Sequence, residues 1–122
     1  MNPTDDLDLQ FGRLVCALKK RGDDIAADIT PEDLDMWHMA TGISGEAGEL
    51  LDAVKKHVIY RKPIDIENVI EELGDLEFYM EGLRRSLDIS HSQVLIANIN
   101  KLTIRYGSQY SNQGAVERKD KQ

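Results

Sequence analysis

A chain of 122 residues suits one domain of ordinary size but leaves a small core to a single copy, so self-association is expected. With 15 Lys and Arg against 22 Asp and Glu, the net charge of −7 opposes attraction to phosphate backbones and sets nucleic acid aside as a partner. No run approaches the roughly 20 apolar residues that cross a bilayer, and the start MNPTDDLDLQ is acidic where a signal peptide is basic; the expectation is a cytoplasmic protein with no membrane partner.

In chain order, a first helix is predicted over about 6–21, with Leu7, Phe11, Leu14, Val15 and Leu18 on its apolar side and a stop near Gly22. Cys16 falls in that pattern and reads as a small core residue. A second helix starts at TPEDL, where Thr30 suits the N-cap, Pro31 the first position, and Glu32 and Asp33 the positive end of the dipole; it runs to about Tyr60. The third opens after KPID with Asp65 as cap and runs to about Leu87. Ser90 and Gln93 have capping-box spacing and open a fourth helix that reaches about Tyr106. The domain is therefore set at 1–106, and 107–122 is predicted to be a polar C-terminal tail, extended or packed on a neighbouring subunit. No strand-like alternation competes, and the fold class is an all-α bundle of four-helix type.

Helical spacing places the acids. In the second helix Ala40, Ile43, Ala47, Leu50, Leu51, Val54 and Val58 form one stripe, with Glu46 at its margin and Glu49 a turn along the same flank. In the third, Val69, Leu73, Leu76, Met80, Leu83 and Leu87 make a narrow seam. Glu72 falls about 60° from its centre and Asp75 about 120° on the same side, which leaves Glu71 to solvent. Two pairs, E-x-x-E and E-x-x-D, thus sit on successive helices that a short connection makes antiparallel. Carboxylates converging in a partly dry groove repel and raise one another's pKa unless cations compensate. Mg²⁺ takes a few carboxylates and leaves positions for water and phosphate oxygens, which suits hydrolysis of a phosphate ester or anhydride.

Acids at helical spacing more often mark a solvated face, and the glycines weigh against that reading here. Gly42, Gly45, Gly48 and Gly74 each weaken a helix interior. Gly42 falls on the Glu46 flank, where a missing side chain leaves room for a ligand, and the others suit close helix packing. On the fourth helix Asn98, Lys101 and Arg105 form a row that suits phosphate oxygens, although basic residues near a helix C-terminus also suit the dipole.

Taken together, HMATGISGEAGELLDAVKK, IEELGDLEFYMEGL and NINKLTIRYG, in that order and followed by AVERKD, resemble the MazG-like branch of the all-α nucleoside triphosphate pyrophosphohydrolases. The likeness runs from about Met36 to Arg118 and covers one copy of the motif set, the short form found in some compact or viral genomes. It implies a hydrolase that converts a nucleoside triphosphate, a dNTP first, to the monophosphate and pyrophosphate, as a homodimer or homotetramer. It also implies Mg²⁺, replaceable by Mn²⁺, on Glu46, Glu49, Glu72 and Asp75. Glu49 is then the first candidate base. Lys101 and Arg105 neutralise the triphosphate, Asn98 bonds to sugar or phosphate, and Lys55 or Lys56 assists across an interface.

Trp37, His38, Tyr60 and Tyr79 are available to a base, with Trp37 read first as a core or interface residue. Di-iron bundles need Glu-x-x-His pairs, and here DMWH and DISH supply Asp instead. The alternatives kept open are a dUTP/dCTP-specific or phosphoribosyl-ATP pyrophosphohydrolase on the same scaffold, and a noncatalytic helical oligomerisation module.

Overall fold

Asn2 accepts a hydrogen bond from Thr4 N at 3.3 Å and starts the first helix earlier than periodicity predicts, at Pro3. The computed structural model describes residues 2–122, all of whose regular elements are helical. In order they are α1 (Pro3–Leu18), α2 (Gly22–Asp28), α3 (Pro31–Val58), α4 (Ile66–Ser86), α5 (His91–Tyr106) and α6 (Asn112–Glu117), with a final 3-10 turn at Lys119–Lys121. The chain divides into two compact units, Met1–Asp33 and Leu34–Gln122.

In the first unit, α1 ends where Lys19 turns extended, short of the predicted 21. The short helix α2 was not expected: Asp23 and Asp24 in its first turn and the good helix formers Ala26 and Ala27 stabilise a segment too short to show a period. The apolar side of α1 lies open, with Leu7, Phe11 and Leu18 exposed. Cys16 is exposed as well, which corrects its reading as a core residue.

The starts of α3, α4 and α5 follow their caps. Thr30 N donates to Asp33 Oδ2 at 3.0 Å and Asp33 N donates to Thr30 Oγ1 at 3.1 Å, a reciprocal cap with Pro31 in the first turn. Asp65 accepts from Asn68 N and opens α4. Ser90 and Gln93 close the predicted capping box of α5. Between α3 and α4 the chain turns through Arg61 at φ 57°, and His57 Nδ1 donates to the Lys62 carbonyl at 2.7 Å.

α3 and α4 lie side by side and antiparallel. Gly82 faces Met39, Gly42 faces Tyr79 and Glu46 approaches Asp75, so each step up α3 is matched by an equal step down α4. The shielded row of α3 is Met36, Met39, Ile43, Glu46, Leu50 and Ala53, rather than the predicted stripe, and Leu51 is 69% exposed. The row is rotated because Gly42 and the methionines let Tyr79 and Gly82 come close. On α4 Val69, Glu72, Leu76, Met80 and Leu83 are half-buried, while the predicted seam residues Leu73 and Leu87 are exposed. Glu46 and Glu72 therefore stand within the shielded rows, not at their margins.

The predicted extended tail is folded. Ser111 caps α6, whose buried Gly114 seats on the last turn of α5; a Cβ there would meet the Arg105 carbonyl at 2.7 Å. Arg105 donates to Asp120 through Nε at 2.8 Å and Nη2 at 3.1 Å. Residues 107–122 thus belong to the same compact unit as α3 to α5. Polar composition concealed this because the contacts are one ion pair, one cap and one glycine seat, none of which has a period.

Candidate metal and phosphate site

Three of the four predicted acids meet between α3 and α4. One carboxylate oxygen from each of Glu46, Glu72 and Asp75 lies within 4.8 Å of the others. Glu46 and Glu72 are half-buried and Asp75 is exposed. Glu49, one turn beyond Glu46, lies beside Glu46 and Glu72 outside that closest trio and lines the adjoining groove with Glu72. Glu71 is exposed, on the far side, as its position on the wheel predicts.

The electrostatics of the cluster follow from its place in the shielded rows. Glu46 is pushed up from 4.5 to about 7, first by burial of its carboxyl and then by Glu72 and Glu49 beside it. Glu72 is raised too, again mainly by burial; a protonated Glu46 alongside offers it a donor and offsets part of the rise. Among the described residues, Glu46 Oε2 and Glu72 Oε2 are fully shielded and have no hydrogen-bond partner. Shielded carboxylate oxygens are ordinarily paired, and two together without a cationic side chain are a costly arrangement. An all-oxygen donor set with an exposed third carboxylate fits a hard divalent cation that keeps water or phosphate on its open side. Glu46, Glu72 and Asp75 would hold such an ion, with Glu49 within reach of its neighbours.

Beside the cluster runs an open groove of about 500 Å³ lined by Gly45, Gly48, Glu49, Asp52, Lys56, Asn68 and Glu72. Lys56 pairs with Asp52 at 3.3 Å, and both side chains are more than half exposed, so this contact is weak and free to open. Asn68 and Asp52 were not singled out in the sequence; Asp52 follows Gly48 by four on one helix face, the signal that would have found it. Lys55 turns instead to Tyr60, with Nζ 5.7 Å from the ring centroid.

The predicted row on α5 is split. Asn98 is exposed and Lys101 half-buried, whereas the Arg105 side chain is 15% exposed against an Asp120 side chain only 4% exposed. This pair holds Asp120 below the usual carboxylate range and raises Arg105. None of Asn98, Lys101 and Arg105 lines the groove.

Of the aromatic residues, Tyr79 covers Gly42, where an added Cβ would run into its ring. Its ring meets Phe78 edge-on at 5.2 Å and lies 6.3 Å from His38. Gly42 is therefore a packing glycine, which corrects the expectation that it leaves room for a ligand. Trp37 is 67% exposed, not a core residue, and flanks an apolar recess of about 340 Å³ with Leu34, His38 and Thr41.

An all-α unit in which two antiparallel helices bring acids together beside an open groove defines a helical protein with an oxygen-donor cluster that fits a hard cation. The sequence model of the MazG nucleotide pyrophosphohydrolase domain matches residues 36–108, the stretch that carries all of α4 and α5, the acid cluster, the groove and most of α3, and the chain belongs to that family. It is also similar to the Gene 37 protein of Mycobacterium phage L5, 33% identical over 72 residues, a match covering 56% of this chain and 63% of that protein. The chain thus spans under two thirds of this relative's length. No solved structure matches. No described helix is long and apolar enough to cross a membrane.

Proposed function

We propose that the chain is a Mg²⁺-dependent nucleoside triphosphate pyrophosphohydrolase that converts a (d)NTP, dNTPs first, to the monophosphate and pyrophosphate. The observation that carries this reading is the pair of shielded, partnerless oxygens on Glu46 and Glu72, close to Asp75, with Glu72 also on the wall of a groove large enough for a small ligand. Membership of the MazG nucleotide pyrophosphohydrolase family supports the reaction class.

In this reading Glu46, Glu49, Glu72 and Asp75 hold Mg²⁺, and Mn²⁺ replaces it. A cation held there would offset triphosphate charge and supply a better water nucleophile near neutral pH. Glu49, at the groove wall, takes the proton as water adds across the anhydride between the α and β phosphates; that P–O–P link breaks and pyrophosphate leaves with the bridging oxygen. Lys56 offers its ammonium to phosphate once Asp52 releases it. Asn98 and Lys101 are further sugar or phosphate contacts, and Lys55 assists across an interface. Arg105 joins them only when its pair with Asp120 opens.

The outward apolar residues of the second unit, among them Leu51, Ile70, Phe78 and Ile99, support a homodimer or homotetramer. The substrate is a soluble cytoplasmic nucleotide. A panel of NTPs and dNTPs with and without Mg²⁺, with products resolved, tests the reading. Monophosphate plus pyrophosphate only with metal is expected, whereas diphosphate plus orthophosphate refutes the cleavage position. Turnover confined to dUTP and dCTP, or to phosphoribosyl-ATP, moves the assignment to those enzymes. No metal-dependent turnover on any nucleotide leaves a helical oligomerisation module.

A further inference from the structure

The glycines of α3 and α4 fall into two groups. At Gly42 and Gly82 there is no space for a side chain, because a Cβ would strike Tyr79 and Met39 respectively. At Gly45 and Gly48 a Cβ would meet no atom within 4 Å. Both residues are exposed in the middle of a long helix, where alanine forms helix better, and no packing within the chain compensates. They are three apart on one face, and together with Glu49, Asp52, Lys56, Asn68 and Glu72 they bound the groove of about 500 Å³. An independent sign that the groove takes a ligand stands on its wall: Glu72 Oε2 is fully shielded and has no partner.

We infer that Gly45 and Gly48 are substrate-positioning residues: the bare strip they leave on α3 is the surface against which the cation-bearing nucleotide lies, and a side chain there takes the ligand's space. This inference rests on the nucleotide reading above. Bare helix backbone lets a ligand approach the carboxylates more closely than a side chain at either position would allow. The strip is therefore kept at the expense of helix stability, as is common where binding and folding make opposite demands.

The two demands separate in experiment. Full-length Gly45→Ala, Gly48→Ala and Gly48→Leu are compared with Gly74→Ala, an α4 glycine that is also in open space but does not line the groove. Three quantities are read: Tm without ligand, affinity for α,β-methylene deoxynucleoside triphosphates of the four bases with Mg²⁺, and mass by light scattering. Each alanine variant is expected to raise the ligand-free Tm by about 3 °C at unchanged mass. Affinity is expected to fall about tenfold in Gly45→Ala and Gly48→Ala and beyond about a hundredfold in Gly48→Leu, and to hold in Gly74→Ala.

Wild-type affinity in Gly48→Leu overturns the inference. So does a fall in Tm with a loss of mass in the groove variants, which assigns the strip to packing against a second copy. If the wild-type protein itself binds none of the analogues, the nucleotide reading fails and this inference with it. Binding by wild type together with equal binding by Gly48→Leu removes the inference alone.

Discussion

The acid cluster between α3 and α4 and the C-terminal end of α5 shield carboxylates in opposite ways. Asp120 is enclosed against the fork of Arg105, two charge-assisted hydrogen bonds at 2.8 and 3.1 Å, and its pKa is lowered. Glu46 and Glu72 are enclosed against each other, and burial raises them. A shielded acid with a dedicated cation is part of the fold, whereas shielded acids with no cation form a place for one to arrive. The same contrast divides the basic residues. Arg105, which resemblance assigns to the triphosphate, fastens the C-terminal segment in this structure, while Lys56 stands in the groove in a loose pair with Asp52.

Removing charge from the two regions should have unlike consequences. Glu72→Gln, nearly isosteric, is expected to cut pyrophosphate release at least about a thousandfold while circular dichroism and Tm hold, since a preorganised ligand to the cation is lost and a shielded repulsion relieved. A variant that keeps near wild-type turnover removes the cluster from the chemistry. Asp120→Asn strips Arg105 of its counter-charge and is expected to lower Tm by roughly 10 °C, with amide exchange rising through α6. An unchanged Tm would make the pair incidental.

Gly42→Ala tests the junction that brings the acids together. The added methyl must displace the Tyr79 ring, and a fall in Tm of about 5 °C with weaker Mn²⁺ binding is expected. Tight, unaltered metal binding in a well-folded variant would mean that the cluster does not depend on this contact.

A smaller effect follows from Glu46. Its folded pKa, about 7, lies above the ordinary 4.5, so between those values the folded, metal-free protein binds more protons than the unfolded chain. Stability therefore falls as pH rises from about 4.5 to about 7. Tm measured in chelator across this window should decline, less so in Glu46→Gln, and Mg²⁺ should reverse the trend, because the cation binds the deprotonated acids. Asp120 and Glu81, whose pKa values are lowered by arginines, act in the other direction only at more acidic pH. At the bottom of the scale, Glu71→Gln should change turnover less than about twofold, being an exposed acid outside the cluster. A large loss there would move the site to the other face of α4.

Much of this protein is written locally. Thr30, Asp65 and Ser90 announce the starts of α3, α4 and α5 because a cap is a contact between residues three apart, visible in sequence without knowledge of the fold. The pairs Glu46/Glu49 and Glu72/Asp75 were legible for a similar reason, since a fixed turn per residue places each pair on one flank. The depth of the acids was not legible. Periodicity put Glu46 beside an apolar stripe, but the shielded row passes through it because Tyr79 and Met39 fill the gaps at Gly42 and Gly82. The C-terminal segment escaped as well, its attachment being an ion pair across fifteen residues and a glycine seat on α5.

Sequence by itself determined the four long helices, where three of them begin, and which acids share a flank, because hydrogen bonds and side-chain spacing within a helix are set by nearest neighbours. Only the tertiary structure decided that Glu46, Glu72 and Asp75 meet closely across two helices, that Gly42 is filled and Gly48 is open, and that Arg105 is occupied by Asp120. Those outcomes depend on the register of one helix against another, which is chosen by how ring, thioether and bare backbone fit together in space.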